Sequence, residues 1–126
     1  MIVLDTHAWL WWTAEPGKLS RAAAQAIARA DEIGVCTVSV LELAQRVEEG
    51  HLKLKAPVRT WVHQALAQER VRALPLTSDV ALDAAQLRFE GDPADRIIYA
   101  TARAERAQLV TRDERLREFD HALTLW

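Results

Sequence analysis

The stretch MIVLDTHAWLWW, residues 1–12, decides the fold, because it places a short apolar strand directly before a helix. The segment MIVLD predicts the strand, and THAWLWWT predicts the helix that follows it. The same succession recurs along the chain, with further predicted strands in IGVCTV, VRALPL, LVT and ALTLW, all separated by helical sequence. This alternation predicts an α/β sandwich with a mostly parallel sheet of about five strands flanked by helices.

Length and composition indicate one domain that covers residues 1–126. Apolar residues make up 50% of the chain, which is enough to bury a core, and neither a linker nor a repeat interrupts it. The one cysteine, Cys36, lies in an apolar stretch and predicts a buried thiol rather than a disulfide or a thiolate zinc site. Without a basic leader or an apolar run of about 18 residues, we expect a cytoplasmic protein with no membrane association.

The charge balance gives no general attraction to nucleic acid. The chain carries 16 Lys and Arg against 18 Asp and Glu, for a net charge of −2. A protein without an overall positive field must bind any nucleic acid through a local site. Arg112 and Arg115, which flank Asp113, could contact RNA phosphates there, although a solvated helix end explains them equally well.

Acidic residues recur where the predicted strands and helices meet. Asp5 ends the first strand, and Asp113 follows the fourth. Glu42 lies one turn into the helix after the second strand, and Asp95 lies one turn into the helix before the fourth. In a parallel sheet these positions share the carboxyl edge, where ligands bind. The spacing therefore predicts one site that contains four carboxylates.

Helix capping is the competing interpretation, because Asp and Glu are common in first helical turns. In the stretch GDPADRIIYATA, residues 91–102, Asp92 can already cap the helix, so that Asp95 is an additional acid. Ser39 and Glu42 have the spacing of a capping box, so Glu42 has two interpretations, as part of a helix cap or as a member of the acidic site. A non-catalytic α/β binding module, whose acids only cap helices, therefore stays open as an alternative, and it predicts no tight divalent-ion binding.

A cluster of carboxylates has a specific chemistry. Several of them within a few ångströms cannot all remain ionised unless a cation neutralises them, because like charges raise one another's pKa. Oxygen ligands without Cys or paired His favour Mg²⁺ or Mn²⁺. An ion of this kind activates a bound water molecule and stabilises charge on a phosphoryl oxygen. The predicted reaction is therefore metal-assisted hydrolysis of a phosphodiester.

Two other enzyme classes fail on particular residues. The segment PGKLS is similar to part of a P-loop, but Leu19 stands where Ser or Thr should follow the lysine, and Trp12 occupies the place of the first glycine. A phosphatase of the haloacid dehalogenase type needs a second aspartate two residues after the first, and His7 stands there. Neither ATP binding nor that phosphatase chemistry is expected.

Four segments of the chain resemble the PIN-domain ribonucleases, and above all the VapC-type toxins of bacterial toxin–antitoxin pairs. These segments are VLDTHAWLWW with Asp5, SVLELAQRVEEG with Glu42, DPADRIIYATA with Asp95 and LVTRDERL with Asp113. The resemblance runs over residues 1–126, with no recognisable signature between residues 51 and 76. It implies a PIN-like fold and a metal-dependent endoribonuclease, which as the toxin of such a pair inhibits translation or growth.

The resemblance also implies roles for individual residues and partners. Four acids would bind Mg²⁺ or Mn²⁺ and carry catalysis: Asp5, Glu42, Asp95 and Asp113. Thr6 and Thr111 would orient carboxylates or phosphate, while Arg96, Arg112 and Thr111 are candidates for binding the RNA substrate. A cognate antitoxin protein and a homodimer are the implied partners.

Three tryptophans of the first predicted helix cannot all face the core. Trp9 and Trp12 lie three residues apart, and Trp11 lies between them. We expect one or two of them in the core, and an exposed one would suit the groove of a partner. His7, close to Asp5, is the one histidine with a candidate role at the site.

Overall fold

The computed structural model describes residues 1–126, in which helices cover both faces of one central sheet. The strands are β1 (Ile2–Leu4), β2 (Ile33–Cys36), β3 (Val71–Leu74), β4 (Gln108–Val110) and β5 (Thr124–Leu125). The helices are α1 (Thr6–Ala14), α2 (Arg21–Arg29), α3 (Thr37–Glu48), α4 (Val58–Leu66), α5 (Ser78–Gln86), α6 (Pro93–Ala104) and α7 (Glu114–Phe119). A 3₁₀ turn, Pro16–Lys18, joins α1 to α2. No helix has both the length and the apolar character needed to cross a membrane.

The sheet contains five parallel strands in the order β3-β2-β1-β4-β5. The predicted α/β fold with a sheet of about five strands is therefore confirmed. Parallel neighbours need crossover connections, and helices make those connections here. Each strand consequently ends at the same edge of the sheet.

Successive residues of the central strands contribute to two separate cores. Leu4 and Val110 pack with Trp9 on one face of the sheet, whereas Val3 and Leu109 pack into the core on the other face. All of these side chains are fully buried. Burial on both faces explains why the strands form continuous apolar runs rather than an alternating pattern.

Helix α3 begins three residues earlier than a Ser39 cap predicts. Strand β2 ends at Cys36, and the helix starts at Thr37 rather than at Val40. Ser39 lies inside the helix, completely buried, so the predicted capping box of Ser39 with Glu42 is wrong. The physical reason is that β2 passes directly into α3 without a separate capping residue. Asp92, in contrast, caps α6 as predicted.

The order of the strands positions a site between β1 and β4. The chain adds β2 and β3 on one side of β1, and then β4 and β5 on the other side. At such a point the carboxyl ends of the two central strands open into a crevice. Leu4 pairs in register with Val110, which brings the following residues, Asp5 and Thr111, next to each other.

Candidate active site

A cavity of about 550 Å³ opens at this carboxyl edge of the sheet. It contains all four predicted acids, which come from the end of β1, from α3, from α6 and from the turn before α7. Its 12 lining residues, of which one is apolar, are Asp5, Thr6, His7, Trp11, Glu42, Arg46, Asp92, Asp95, Arg112, Asp113, Glu114 and Arg115. We call it the acidic cavity.

Asp5 is the most deeply buried acid of the cavity, with 8% of the residue exposed. Its Oδ1 accepts a hydrogen bond from the backbone N–H of Ala8 at 2.8 Å, which caps α1. Burial raises the pKa of Asp5, and the nearby Glu42 adds to this, while hydrogen bonds from the Thr111 hydroxyl and from Ala8 oppose the rise. Asp5 is therefore held in place by two neutral donors, and the nearby His7 opposes the rise in its pKa less than they do.

Thr111 supports Asp5 from a fully buried position. Its Oγ1 also accepts a hydrogen bond of 3.0 Å from the backbone N–H of Asp113. Thr111 has no solvent exposure and does not line the cavity, so the structure places its hydroxyl against Asp5 and Asp113 rather than on the side open to a substrate. The structure agrees instead with its other predicted role, the orientation of carboxylates.

A buried chain of hydroxyl groups positions Glu42. Thr6 Oγ1 donates to Glu42 Oε1 and lies 2.9 Å from Ser39 Oγ. Because a hydroxyl has a single proton, Ser39 donates to Thr6 when Thr6 donates to Glu42. Ser39 is thus a positioning residue for the cavity, whereas its spacing in the sequence suggested a helix cap.

Asp95 lies in the first turn of α6 and makes no capping hydrogen bond of its own. The cap is Asp92, whose Oδ1 accepts a hydrogen bond from the Asp95 backbone N–H at 2.9 Å. Burial, followed by the negative charges of Asp92 and Asp113 and then of the other acids, raises the pKa of Asp95 to about 7. Ionising this carboxylate costs free energy that a bound cation would offset.

Asp113 caps α7, and Arg115 connects it to Asp95. Asp113 Oδ1 accepts from the Arg115 backbone N–H at 2.9 Å. The Arg115 guanidinium Nη2 lies 3.5 Å from Asp113 Oδ2 and 4.0 Å from Asp95 Oδ2. Since the Arg115 side chain is 63% exposed, solvent weakens both ion pairs, and the two carboxylates remain available to another cation.

The donor set of the acidic cavity fits a hard divalent cation. Its anionic groups are all carboxylates, and no cysteine lines the cavity. The carboxylates do not stand in an arrangement that would already hold one ion. Ion binding therefore requires side-chain rearrangement, and a bound cation would relieve the repulsion from neighbouring acids that contributes to the raised pKa of Asp95.

Helix capping accounts for only part of this cluster. Asp5 and Asp113 accept hydrogen bonds from backbone N–H groups at the starts of α1 and α7. Glu42 and Asp95 do not, and Glu42 lies beyond the first turn of α3. The alternative of a binding module whose acids only cap helices leaves these two carboxylates unexplained.

The cavity also contains cations, one of which sequence reasoning missed. Arg112 lines the cavity where it was predicted to bind substrate, and its guanidinium carbon lies 5.8 Å from the centre of the Trp11 ring. Arg46 lines the cavity as well. The signal that could have found Arg46 is its spacing of four residues from Glu42, which places both on one face of α3.

Arg96, like Thr111, is a predicted substrate-binding residue that does not line the cavity. Its guanidinium donates hydrogen bonds at 2.9 to 3.2 Å to the carbonyls of Ala84 and Ala85 at the end of α5 and to that of Leu87, which follows the helix. Successive residues of a helix point about 100° apart, so Arg96 faces α5 when Asp95 faces the cavity. In the structure the Arg96 side chain makes no hydrogen bond to a cavity residue that would bind substrate, and its hydrogen bonds join α6 to the end of α5. We call these hydrogen bonds the Arg96 clamp.

Replacing Arg96 with alanine should therefore lower stability rather than catalysis. The half-buried carbonyls of Ala84 and Leu87 would lose a charged donor, and we expect the free energy of unfolding to fall by about 1 to 3 kcal/mol. Urea denaturation measures this change, with Arg88→Ala, an exposed arginine, as the matched control. An Arg96→Ala protein of unchanged stability but strongly reduced RNA cleavage would contradict the clamp and restore the predicted substrate role.

Replacing Thr6 with valine should lower the activity of the site about tenfold to a hundredfold without unfolding the protein, because Glu42 loses the hydroxyl that orients it. Cleavage rate constants of the purified variants measure the effect. Thr6→Ser keeps the hydroxyl and should restore activity. Thr13→Val is the control, since the Thr13 hydroxyl donates only to the Trp9 carbonyl of the same helix. Equal activity of Thr6→Val and the control would remove Thr6 from the positioning chain.

Comparison with known proteins agrees with this geometry. The PIN domain profile matches residues 2–122. Over 129 aligned residues the chain is 46% identical to Ribonuclease VapC22 of Mycobacterium tuberculosis (strain ATCC 25618 / H37Rv), covering 99% of this chain and 98% of that protein. The chain belongs to the PIN-domain family, and the resemblance seen in its sequence is confirmed.

Solved structures share the fold at low sequence identity. VapBC2 from Rickettsia felis, bound to a DNA fragment from its promoter, has a TM-score of 0.71 and 18% identity, covering 99% of this chain and 98% of that one. FitAcB from Neisseria gonorrhoeae has a TM-score of 0.65 and 24% identity, and the match covers 100% of this chain and 97% of that one. A toxin–antitoxin complex from Klebsiella pneumoniae has a TM-score of 0.69 and 19% identity, and the match covers 100% of this chain and 97% of that one.

Proposed function

We propose that this chain is a Mg²⁺- or Mn²⁺-dependent endoribonuclease and the toxin of a toxin–antitoxin pair. The observation that carries the proposal is the convergence of four carboxylates from separate elements in one cavity, where Asp95 has a pKa of about 7. Membership of the PIN-domain family and 46% identity to a ribonuclease of the VapC type support it.

Asp5, Glu42, Asp95 and Asp113 are the residues that would hold the ion. When bound, a divalent cation of this kind polarises water toward hydroxide and stabilises negative charge on a phosphoryl oxygen. Asp5 is held by Ala8 and Thr111, and Glu42 by Thr6, so these two carboxylates are restrained although the four acids together do not yet form an ion site. Restraint of part of the ligand set lowers the reorganisation that remains.

The remaining groups of the cavity have tasks at the substrate. Arg112, Arg46 and Arg115 carry the positive charges that can meet RNA phosphates along the cavity rim. The net charge of −2 gives no background attraction for nucleic acid, so binding depends on these arginines and on the ion. We infer that cleavage is confined to a few RNAs.

We also propose a cognate antitoxin protein and a homodimer as the assemblies of this chain. The similarity in fold of this chain to VapBC2 and to the toxin–antitoxin complex from Klebsiella pneumoniae supports the proposed antitoxin partner. Light scattering of the purified protein should give the mass of a dimer, and the addition of antitoxin should give a larger complex without cleavage activity. A strict monomer at high concentration would contradict the dimer.

Induction of this chain in bacteria tests the proposed function as a whole. Without antitoxin, growth should stop and sequencing of RNA ends should show new cuts in a few structured or translation-linked RNAs. The Asp5→Asn chain, expressed to the same level, is the control and should neither stop growth nor cut RNA. Cuts spread evenly over all transcripts would contradict selective cleavage, and normal growth without new RNA ends would contradict the function itself.

A further inference from the structure

Trp11 is the one apolar side chain that lines the acidic cavity. Its neighbours on α1 have other environments, since Trp9 is fully buried in the core and Trp12 packs against that core. Trp11 belongs to none of the core clusters and stays partly exposed. Trp11 therefore lies at the cavity wall and outside the core.

Planar groups surround the Trp11 ring at the cavity wall. The His7 ring is centred 5.5 Å from it and tilted by 44°, and the Trp126 ring is centred 5.7 Å from it and tilted by 55°. The Arg112 guanidinium lies 5.8 Å from the ring centre. His7 and Arg112 line the same cavity, whereas Trp126 packs against the core and supports Trp11 from behind. We call Trp11 and His7 the aromatic wall.

The aromatic wall and the acids are sides of one cavity. Trp11 and Asp5 are six residues apart at the start of the chain, with Asp5 capping the helix that carries Trp11. A ligand bound at the carboxylates therefore shares the cavity with a planar apolar surface that has a cation beside it. Aromatic and guanidinium planes are the groups on which proteins stack unpaired bases.

We propose that the aromatic wall stacks a nucleobase of single-stranded RNA next to the phosphodiester to be cleaved. This inference rests on the proposed function and adds to it a positioning surface for the substrate. RNA fits better than an apolar protein segment, because the other lining residues are all polar or charged. A nucleotide offers both a flat π face for Trp11 and a phosphate for Arg112.

Binding of RNA with and without bases tests the proposal. The probe is a fluorescein-labelled adenosine oligoribonucleotide of about 12 residues, together with an abasic counterpart of the same length. Fluorescence anisotropy is measured in the Asp5→Asn background, in which the RNA stays intact. Trp11→Leu should weaken binding of the base-bearing RNA about fivefold to a hundredfold and leave binding of the abasic RNA unchanged.

Two further variants separate stacking from folding. Trp11→Phe keeps an aromatic face and should retain most of the affinity. Trp12→Leu changes the neighbouring tryptophan, which lies outside the cavity, and should bind both probes like the parent chain. Circular dichroism shows whether each variant is folded. If Trp11→Leu is not, His7→Ala, which removes the other ring of the aromatic wall, carries the test and should weaken binding of the base-bearing RNA only.

The outcomes separate this inference from the function on which it rests. Equal losses for both probes, or unchanged affinity for the base-bearing RNA in Trp11→Leu, would overturn the stacking inference. Unchanged RNA affinity with loss of a co-purifying protein would assign the wall to a protein partner and overturn it as well. If the wild-type chain neither binds nor cleaves any RNA, the proposed function fails first.

Discussion

The Asp5→Asn chain is expected to lose RNA cleavage by about a thousandfold or more while keeping its fold. Removing one carboxylate from the cavity weakens ion binding and the charge stabilisation that depends on it, which is a difference of several kcal/mol at the transition state. The substitution conserves shape, and the Asn carbonyl can still accept the hydrogen bond that the Ala8 N–H donates at 2.8 Å. Initial rates of cleavage of a labelled RNA measure the loss.

Asp83→Asn is the matched control, because Asp83 is an exposed acid on α5 outside the acidic cavity. It should cleave RNA at the wild-type rate. Thermal denaturation of both variants shows whether the fold is intact. An Asp5→Asn chain that keeps a tenth or more of the wild-type rate would reduce Asp5 to a helix cap.

Without metal, the Asp95→Asn chain is expected to be more stable than the wild type. Its stability should also rise less than that of the wild type when metal is added. The pKa of Asp95 is raised from 3.8 to about 7, so the folded state binds this proton more tightly than the unfolded state. Ionisation therefore removes stability as the pH rises from about 4 through about 7. At pH 8 the variant avoids this cost, and we expect a gain of about 1 to 2 kcal/mol that disappears near pH 4.

Manganese should reverse that order. Binding to the folded state raises the stability of the wild type by about 2.7 kcal/mol at a hundred times the dissociation constant. Asp95→Asn should lose most of this gain, while Asp83→Asn should keep it. Urea denaturation at pH 8 and pH 4, with chelator or with Mn²⁺, gives all of these values. Identical metal responses of Asp95→Asn and the wild type would remove Asp95 from the site.

The sequence predicted the layout of the fold because its signals are local. MIVLD followed by THAWLWWT already contains a strand of three residues, Ile2–Leu4, the Asp5 cap and helix α1. The start of α3 was misplaced because Ser39 has the local pattern of a cap. In the fold, Ser39 is buried against Thr6, 33 residues away in the chain. A contact of that separation depends on how α1 packs against α3.

Some features of the candidate site could likewise be predicted from the sequence, and others depend on contacts between distant parts of the chain. The four acids follow from the topology, since a parallel sheet gathers its strand ends at one edge. The role of Arg96 did not follow, because its partners are carbonyls of α5 that become available only where that helix ends. The sequence also did not predict the orientation of Trp11, because the rotation of α1 about its axis determines which of the tryptophans in α1 pack into the core.

Cleavage of RNA by the purified wild-type chain, with the divalent ion as the only variable, tests the central claim most directly. A labelled RNA that carries a cut site mapped after induction is incubated with the protein and Mg²⁺, with excess chelator, and with chelator followed by excess Mn²⁺. The acidic cavity predicts cleavage in Mg²⁺, none in chelator and recovery in Mn²⁺, with Asp5→Asn inactive throughout. Cleavage that continues undiminished in excess chelator would contradict a metal-dependent nuclease site at these four acids.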